Sequence, residues 1–302
     1  MQIFHTLRKT EYETVVALGF FDGVHIGHKA VLDACISSKA DGQKSAVFTF
    51  ERSPHNMLFS EKKPMLVTNE QKFSLFEMCG IDEVYCIDFE SVVSLSAEEF
   101  VNEILVSKLN AKVVVTGYNY HFGKGGSATA SDLKRICSGY GIRVIVIEPV
   151  MYKGEAISST RIRQCIANGD MVDANAMLSY NFSVTGVVNS GNHIGTKLDS
   201  PTINQKLSDG VVVPKFGVYA SKVMVDSIEY IGATNIGVHP TVGECDPVCE
   251  THLLETQIDL YGKNVTTELV KFIRPEKKFE SIDALKSQIA MDIAQIKDCM
   301  KK

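Results

Sequence analysis

Five short stretches of this chain, residues 15–20, 45–50, 84–89, 112–116 and 143–147, are almost unbroken runs of apolar residues. Stretches with helical spacing, 28–38, 69–79, 97–109 and 131–140, lie between them, and Ser96 (with Glu99 three residues on) and Ser131 are plausible N-caps. Strands that alternate apolar and polar residues bury one face; unbroken runs must be buried on both. Alternation of such strands with helices therefore predicts an α/β fold: a doubly wound, Rossmann-like parallel sheet covered by helices on each side.

The pattern changes near residue 180. Residues 160–166 and 170–178 read as short helices separated by the turn Asn168-Gly169. Beyond them the chain is rich in Gly, Pro, Asn and β-branched residues, with strand patterns at 182–188, 217–225 and 264–270. Short strands between turn signals predict a small antiparallel β-barrel or sandwich. Ile282, Leu285, Ile289, Ile293 and Ile296 then recur at spacings of three and four, so the chain ends in a helix. With 302 residues, two domains are expected, 1–180 and 181–302.

Composition removes several function classes. A net charge of −5 speaks against a broad nucleic-acid-binding face, which needs an excess of Lys and Arg. No run approaches the roughly 18 apolar residues that span a bilayer, so no membrane is expected. The start, Met-Gln-Ile-Phe-His-Thr-Leu, lacks the charged leader and apolar core of a signal peptide. The eight cysteines are scattered, as reduced thiols of a cytoplasmic protein would be. Cys245 and Cys249 are the one close pair, and His239 and His252 are too loosely placed to complete a metal site with them.

The chemistry concentrates where the first apolar run ends, at Gly19-Phe-Phe-Asp-Gly-Val-His-Ile-Gly-His28. In an open parallel sheet ligands bind beyond the carboxyl ends of strands. Gly23 and Gly27 let backbone amides approach a ligand, and the helix start that follows favours an anion. His25 and His28, three apart, can both face phosphates and donate to charge that grows during transfer; Asp22 can position a histidine or a metal. A second segment, 157–163, offers the hydroxyls of Ser158, Ser159 and Thr160 and the cations of Arg161 and Arg163, a set suited to departing pyrophosphate. A third, 115–126, follows another strand with a glycine-rich aromatic loop that can stack on a planar ring. These segments alone describe a transferase that handles nucleotide phosphates.

Taken in order, they resemble the prokaryotic bifunctional riboflavin kinase/FMN adenylyltransferase family, also called bacterial FAD synthetase. Its Gly-x-Phe-Asp-Gly-x-His-x-Gly-His motif is matched by Gly19, Phe21, Asp22, Gly23, His25, Gly27 and His28. Its Gly-x-Asn/Asp-Phe-x-Phe-Gly loop is matched by Gly117, Asn119, Tyr120, Phe122 and Gly123, with His121 where Arg is common. Its Ile-Ser-Ser-Thr-x-Ile-Arg stretch is met in full by residues 157–163. The resemblance implies adenylyl transfer from ATP to FMN, giving FAD and pyrophosphate, with Mg²⁺ on the phosphates. It puts His28 and Arg163 on the triphosphate, His25 on transition-state charge, and residues 117–123 on the flavin.

The second half resembles the riboflavin kinase domain of the same family. Pro201-Thr-Ile-Asn204 is similar to its Pro-Thr-x-Asn motif, which implies Thr202 and Asn204 as hard oxygen ligands of Mg²⁺. Glu250 falls in a Glu-x-His segment, where the glutamate is the base that deprotonates the ribityl hydroxyl of riboflavin. Phe216-Gly-Val-Tyr219, Asn235-Ile-Gly237, Pro240-Thr241, Leu260-Tyr-Gly262, Ile273-Arg-Pro-Glu276 and Lys278-Phe279 also agree. The stretch before Pro201 departs from the family's Gly-Arg-x-Leu-Gly-Phe: Thr196 replaces a cation, Asp199 a glycine and Ser200 an aromatic. Two other enzyme readings stay open, an FMN adenylyltransferase with a degenerate kinase domain and a nucleotidyltransferase for another phosphorylated acceptor. A non-catalytic flavin-binding protein is disfavoured, because a mere binder needs no groups aimed at a leaving phosphate. Incubation with riboflavin, ATP and Mg²⁺, followed for riboflavin, FMN and FAD together, is expected to show FMN and then FAD; FAD from added FMN but no FMN from riboflavin marks a degenerate kinase half.

Overall fold

The computed structural model describes residues 1–189, 202–226, 228–238, 247–254, 256, 258 and 260–301. Thr196, Lys197, Asp199, Ser200, Pro201, His239, Pro240, Thr241 and Cys245 lie outside them. The chain divides into two compact units, Met1–Ser159 and Thr160–Lys302.

In the first unit the elements run β1 (Gln2–Phe4), β2 (Thr14–Leu18), α1 (Ile26–Ser37), β3 (Lys44–Phe50), α2 (Pro54–Leu58), α3 (Asn69–Cys79), β4 (Glu83–Ile87), α4 (Ala97–Glu99) and β5 (Ala111–Gly117). Two short strands, β6 (His121–Phe122) and β7 (Ala128–Thr129), precede α5 (Ala130–Ser138) and β8 (Arg143–Ile147); a hairpin of β9 (Met151–Tyr152) and β10 (Glu155–Ala156) ends the unit. Helix α4 continues as a π-helix over Phe100–Val106, which turns Phe100, Val101, Ile104 and Leu105 all into the core. Six strands form one parallel sheet in the order β1-β4-β3-β2-β5-β8.

Alternate residues of each strand feed two separate cores. Val16, Leu18, Phe48, Tyr85 and Val114 pack with α4, its π extension and α5. Val15, Ala17, Val47, Val84 and Val115 pack with Val31, Leu32 and Cys35 of α1 and Phe76 of α3. This is the double burial that unbroken apolar runs require. Because β2 lies between β3 and β5, the chain leaves it in one direction toward β3 and β4 and later fills the other side with β5 and β8. The carboxyl end of β2 is therefore the topological switch point.

At the opposite end of the sheet Glu83, fully buried, accepts from Tyr12, from Tyr85 at 3.1 Å and from Lys44 at 2.8 Å. These partners satisfy a carboxylate that would otherwise be costly to bury.

Helix α6 (Ser159–Asn168) carries the chain into the second unit, followed by α7 (Met171–Leu178) and the strands β11 (Ser183–Val187), β12 (Thr202–Lys206), β13 (Gly217–Val225), β14 (Ile228–Val238), β15 (Pro247–Leu253) and β16 (Asn264–Pro275). Asn175 ties α7 to the sheet, donating to Leu269 O and accepting from Phe182 N, both at 2.9 Å. The strands form one antiparallel sheet in the order β11-β16-β13-β14-β15-β12. Its edges meet: Asn189 N donates to Asn204 O at 2.8 Å, and Gln205 Nε2 donates to Gly186 O at 3.2 Å and Val265 O at 2.7 Å. The sheet is thus closed into a near-barrel.

Its interior mixes Val188, Ile203, Val223, Leu253 and Val265 with buried hydroxyls. Thr234 bonds to both Ser221 (2.7 Å) and Thr251 (2.8 Å), and Thr267 donates to Gln205 (2.6 Å), so the polar groups are paired.

The last helix, α8 (Ile282–Met300), packs through Ile293 and Ile296 on Ala220, Ile231, Ala233 and Ile273, while Ile282 at its start is exposed. Arg274 of β16 makes a two-pronged ion pair with buried Asp292 of α8, Nε–Oδ1 3.0 Å and Nη2–Oδ2 2.8 Å, and Gln288 donates to the same carboxylate at 2.9 Å. Removing one partner strands a buried charge. Asp292→Ala is expected to destabilise the second unit by about 3 kcal/mol in urea unfolding; a loss below about 0.5 kcal/mol, typical of surface changes, would show that α8 docks without the pair.

Candidate active site

The turn after β2 is built under constraint. Phe21 (φ 58°) and Val24 (φ 37°) adopt left-handed backbone, which a side chain disfavours, with Gly23 (φ 80°) between them. Packing holds them there: the Phe21 ring is buried, edge-on to Phe76 (5.7 Å) and to His28 (5.3 Å). A Cβ on Gly19 would stand 2.9 Å from that ring, and one on Gly27 3.2 Å from the His25 ring. Both glycines are therefore required by close approach. Asp22 is buried and accepts from Leu66 N at 2.8 Å, while Thr49 donates to Phe20 O at 3.0 Å.

His25 is the N-cap of α1, and its Nδ1 accepts from His28 N at 3.3 Å. In the neutral ring this assigns the proton to Nε2, leaving that nitrogen as a donor. The His25 and His28 rings stack at 3.6 Å with 15° between their planes. His28 Nδ1 is shut off from solvent and has no hydrogen-bond partner. Burial pushes His25 down to about 4, and burial followed by the neighbouring His25 holds His28 well below the usual 6.5. Near pH 7 the pair thus offers neutral N–H donors at a helix start.

Ser159, the first residue of α6, donates to Asp22 O at 2.9 Å, so the 157–163 segment begins on the turn itself. Thr160, Arg161 and Arg163 follow in the first turns of α6, after exposed Ser158. On the other side, Leu18 pairs with Thr116 across β2 and β5, which sets Gly117 beside Gly19. In the loop 117–123 the aromatics divide. Phe122 is buried in the core and Tyr120 packs against it, its phenol pushed up by burial, whereas Tyr118 is 48% exposed. The two aromatics expected at the flavin are thus core-packed, and the loop's solvent-facing ring is one that sequence reasoning passed over. Asn119 Oδ1 lies over Gly117, and exposed His121 is turned back on Asn119 O at 3.0 Å. Gly123 (φ 73°) passes close to Ala97.

Sequence reasoning also missed Lys72. It sits one turn before buried Phe76 on α3, and a lysine at that core-facing register is the signal that could have found it.

In the near-barrel, Thr202 and Asn204 are on β12 rather than in a turn, and they pair directly with His252 and Glu250 of β15. Glu250 in turn pairs with Asn235 of β14. Directly paired residues share one face of an antiparallel sheet, so Asn204, Glu250 and Asn235 form a row and Thr202 and His252 the next. Asn235 donates to Glu276 at 3.3 Å, and a Cβ on Gly237 would collide with that carboxylate. Among the described residues no group of three or more His, Cys, Asp or Glu side chains could hold a metal ion by itself.

A constrained turn bearing two histidines at the switch point of a doubly wound sheet, followed by an antiparallel near-barrel with its own polar row, fits a two-part nucleotide-handling transferase. Comparison with known proteins gives the same order. A family model described as FAD synthetase matches residues 7–161, and one described as riboflavin kinase matches 178–300. The bifunctional riboflavin kinase/FMN adenylyltransferase of Buchnera aphidicola subsp. Schizaphis graminum is 35% identical, over 97% of this chain and 96% of the relative. That of Escherichia coli K12 is 33% identical, over 95% and 93%. A crystal structure described as a macrolide-efflux protein from Streptococcus pneumoniae has a TM-score of 0.90 at 29% identity, covering 98% of this chain and 99% of that one. Among the described residues of this chain, no helix is long and apolar enough to cross a membrane. The chain belongs to the bifunctional riboflavin kinase/FMN adenylyltransferase family.

The depressed histidines make a stability prediction. A folded pKa below the unfolded one means that the unfolded chain binds the proton first. Stability contributed by His25 is therefore complete above about 6.5 and is lost as pH falls toward about 4. In wild type the melting temperature is expected to fall across that window, and in His25→Asn the dependence should be shallower. Equal slopes in the two proteins would contradict the burial of a neutral His25.

Proposed function

We propose that the adenylyl-transfer half works by positioning and charge stabilisation, with no covalent enzyme intermediate. An FMN phosphate oxygen attacks the α-phosphorus of ATP, and the bond from that phosphorus to the bridging oxygen breaks as pyrophosphate leaves. Backbone amides of the 19–28 turn and the start of α1 cradle the phosphates. His28 holds the triphosphate, and His25 donates from Nε2 to charge growing in the transition state. Ser158, Ser159, Thr160, Arg161 and Arg163 receive the leaving pyrophosphate; with both histidines neutral, the arginines carry the positive charge. The flavin lies on the 117–123 loop, with Tyr118 as its exposed aromatic face. This reading keeps residues 1–180 in the adenylyl-transferring half and 181–302 in the kinase half.

In the kinase half, Glu250 takes the proton of the ribityl hydroxyl as that oxygen attacks the γ-phosphorus of ATP. Thr202 and Asn204 offer hard oxygens beside Glu250, a donor set that fits Mg²⁺ arriving on ATP better than a metal held by protein alone. When bound, Mg²⁺ would neutralise phosphate charge in each half. Seven described cysteines are free thiols, which suits a cytoplasmic enzyme.

The observation that carries the proposal is the stacked, neutral His25–His28 pair on a constrained turn at the switch point. His28→Ala is expected to lower kcat for FAD formation by about 100-fold or more while the melting curve and FMN formation from riboflavin stay unchanged. Undiminished FAD formation in that variant would remove the mechanism.

A further inference from the structure

Lys72 of α3 is only 1% exposed, the one lysine among the largest fully buried side chains of the described residues. Among the described residues its ammonium has one hydrogen-bond partner, donating to Phe50 O at the end of β3 at 3.1 Å. It also lies over the Phe20 ring, 4.8 Å from the centroid, and more distantly over Phe73 at 5.9 Å. One carbonyl and a ring face are poor replacement for the water a buried ammonium gives up. Packing alone would be served as well by Met or Leu at this position. A charge retained under such terms, beside a ligand-binding turn, points to work that needs the charge.

Its surroundings say what that work is. Phe20 is the last residue before the left-handed turn, and it is clamped twice: its carbonyl by Thr49 and its ring by the Lys72 ammonium. The titratable groups whose charge acts on the ammonium are the Cys86 thiol of β4, then Asp22 from the turn and Glu51 beyond β3. Asp22 is itself buried and holds Leu66 N. A positive charge thus sits beneath the one backbone segment whose unfavourable torsions aim His25 and His28. We infer that Lys72 is a positioning residue for adenylyl transfer: its buried ammonium, anchored on Phe50 O, holds the Phe20 ring, and so keeps the phosphate turn in its active shape. The inference rests on the adenylyl-transfer reading given above.

Burial lowers the ammonium below the usual lysine value, so its charge is lost at a lower pH than that of an exposed lysine. Two consequences separate positioning from mere structure. Lys72→Met keeps the stem and removes the charge. In the full chain with ATP, FMN and Mg²⁺, it is expected to lower kcat for FAD formation about 100-fold, with KM for ATP changed less than about 3-fold. FMN formation from riboflavin and the melting temperature should stay at the wild-type level. The pH profile of FAD formation should also lose an alkaline limb that wild type shows. A folded variant with kcat within about 3-fold of wild type, a retained alkaline limb, or joint loss of both activities with the melting transition would each overturn the inference. Absence of FAD formation in wild type would instead overturn the adenylyl-transfer reading itself.

Discussion

The central strand β2 is the constraint from which the rest of the first unit follows. Buried on both faces and hydrogen-bonded on both edges, it leaves the chain no freedom until Leu18. Within a few residues the backbone must then clear the sheet and start α1, whose buried face returns to the same core. The only route is the turn through Phe21, Gly23 and Val24, and its left-handed torsions are sustained by the packing of Phe21 under Gly19. The same turn presents the start of α1 beyond the carboxyl end of β2, the place where open parallel sheets bind ligands.

Around the turn neutral and charged groups divide the electrostatics. The histidines are held neutral by burial. Positive charge comes from Lys72, whose ammonium lies over the Phe20 ring. The near-barrel solves a different problem. Its interior accepts hydroxyls because each finds a partner, and Asn204, Glu250 and Asn235 line up as one row across β12, β15 and β14.

How much of this was legible follows from which residues carry the pattern. The parallel strands were readable because burial on both faces leaves apolar runs that nothing else produces. Strand β1 escaped because three residues at a sheet edge carry no period. Strands β12, β14 and β15 escaped because Gln205, Thr234 and Thr251 fill interior positions where an apolar residue would have shown the alternation. Thr202 and Asn204 were therefore found through the motif they match and not through a strand pattern.

At the site, the His25–His28 spacing was legible because a short motif carries its own geometry. Lys72 was not, since its position depends on the packing of α3 under the β2 turn. The division of labour between Tyr118 and Tyr120 was hidden for the same reason: which ring faces solvent is decided by the core beneath β5.

The central claim is that the 19–28 turn carries attack at the α-phosphorus of ATP. The direct test is ATP labelled on that phosphorus, incubated with the full chain, FMN and Mg²⁺. The account predicts label entering FAD in step with unlabelled pyrophosphate release. Label that stays outside the flavin product under those conditions would contradict it.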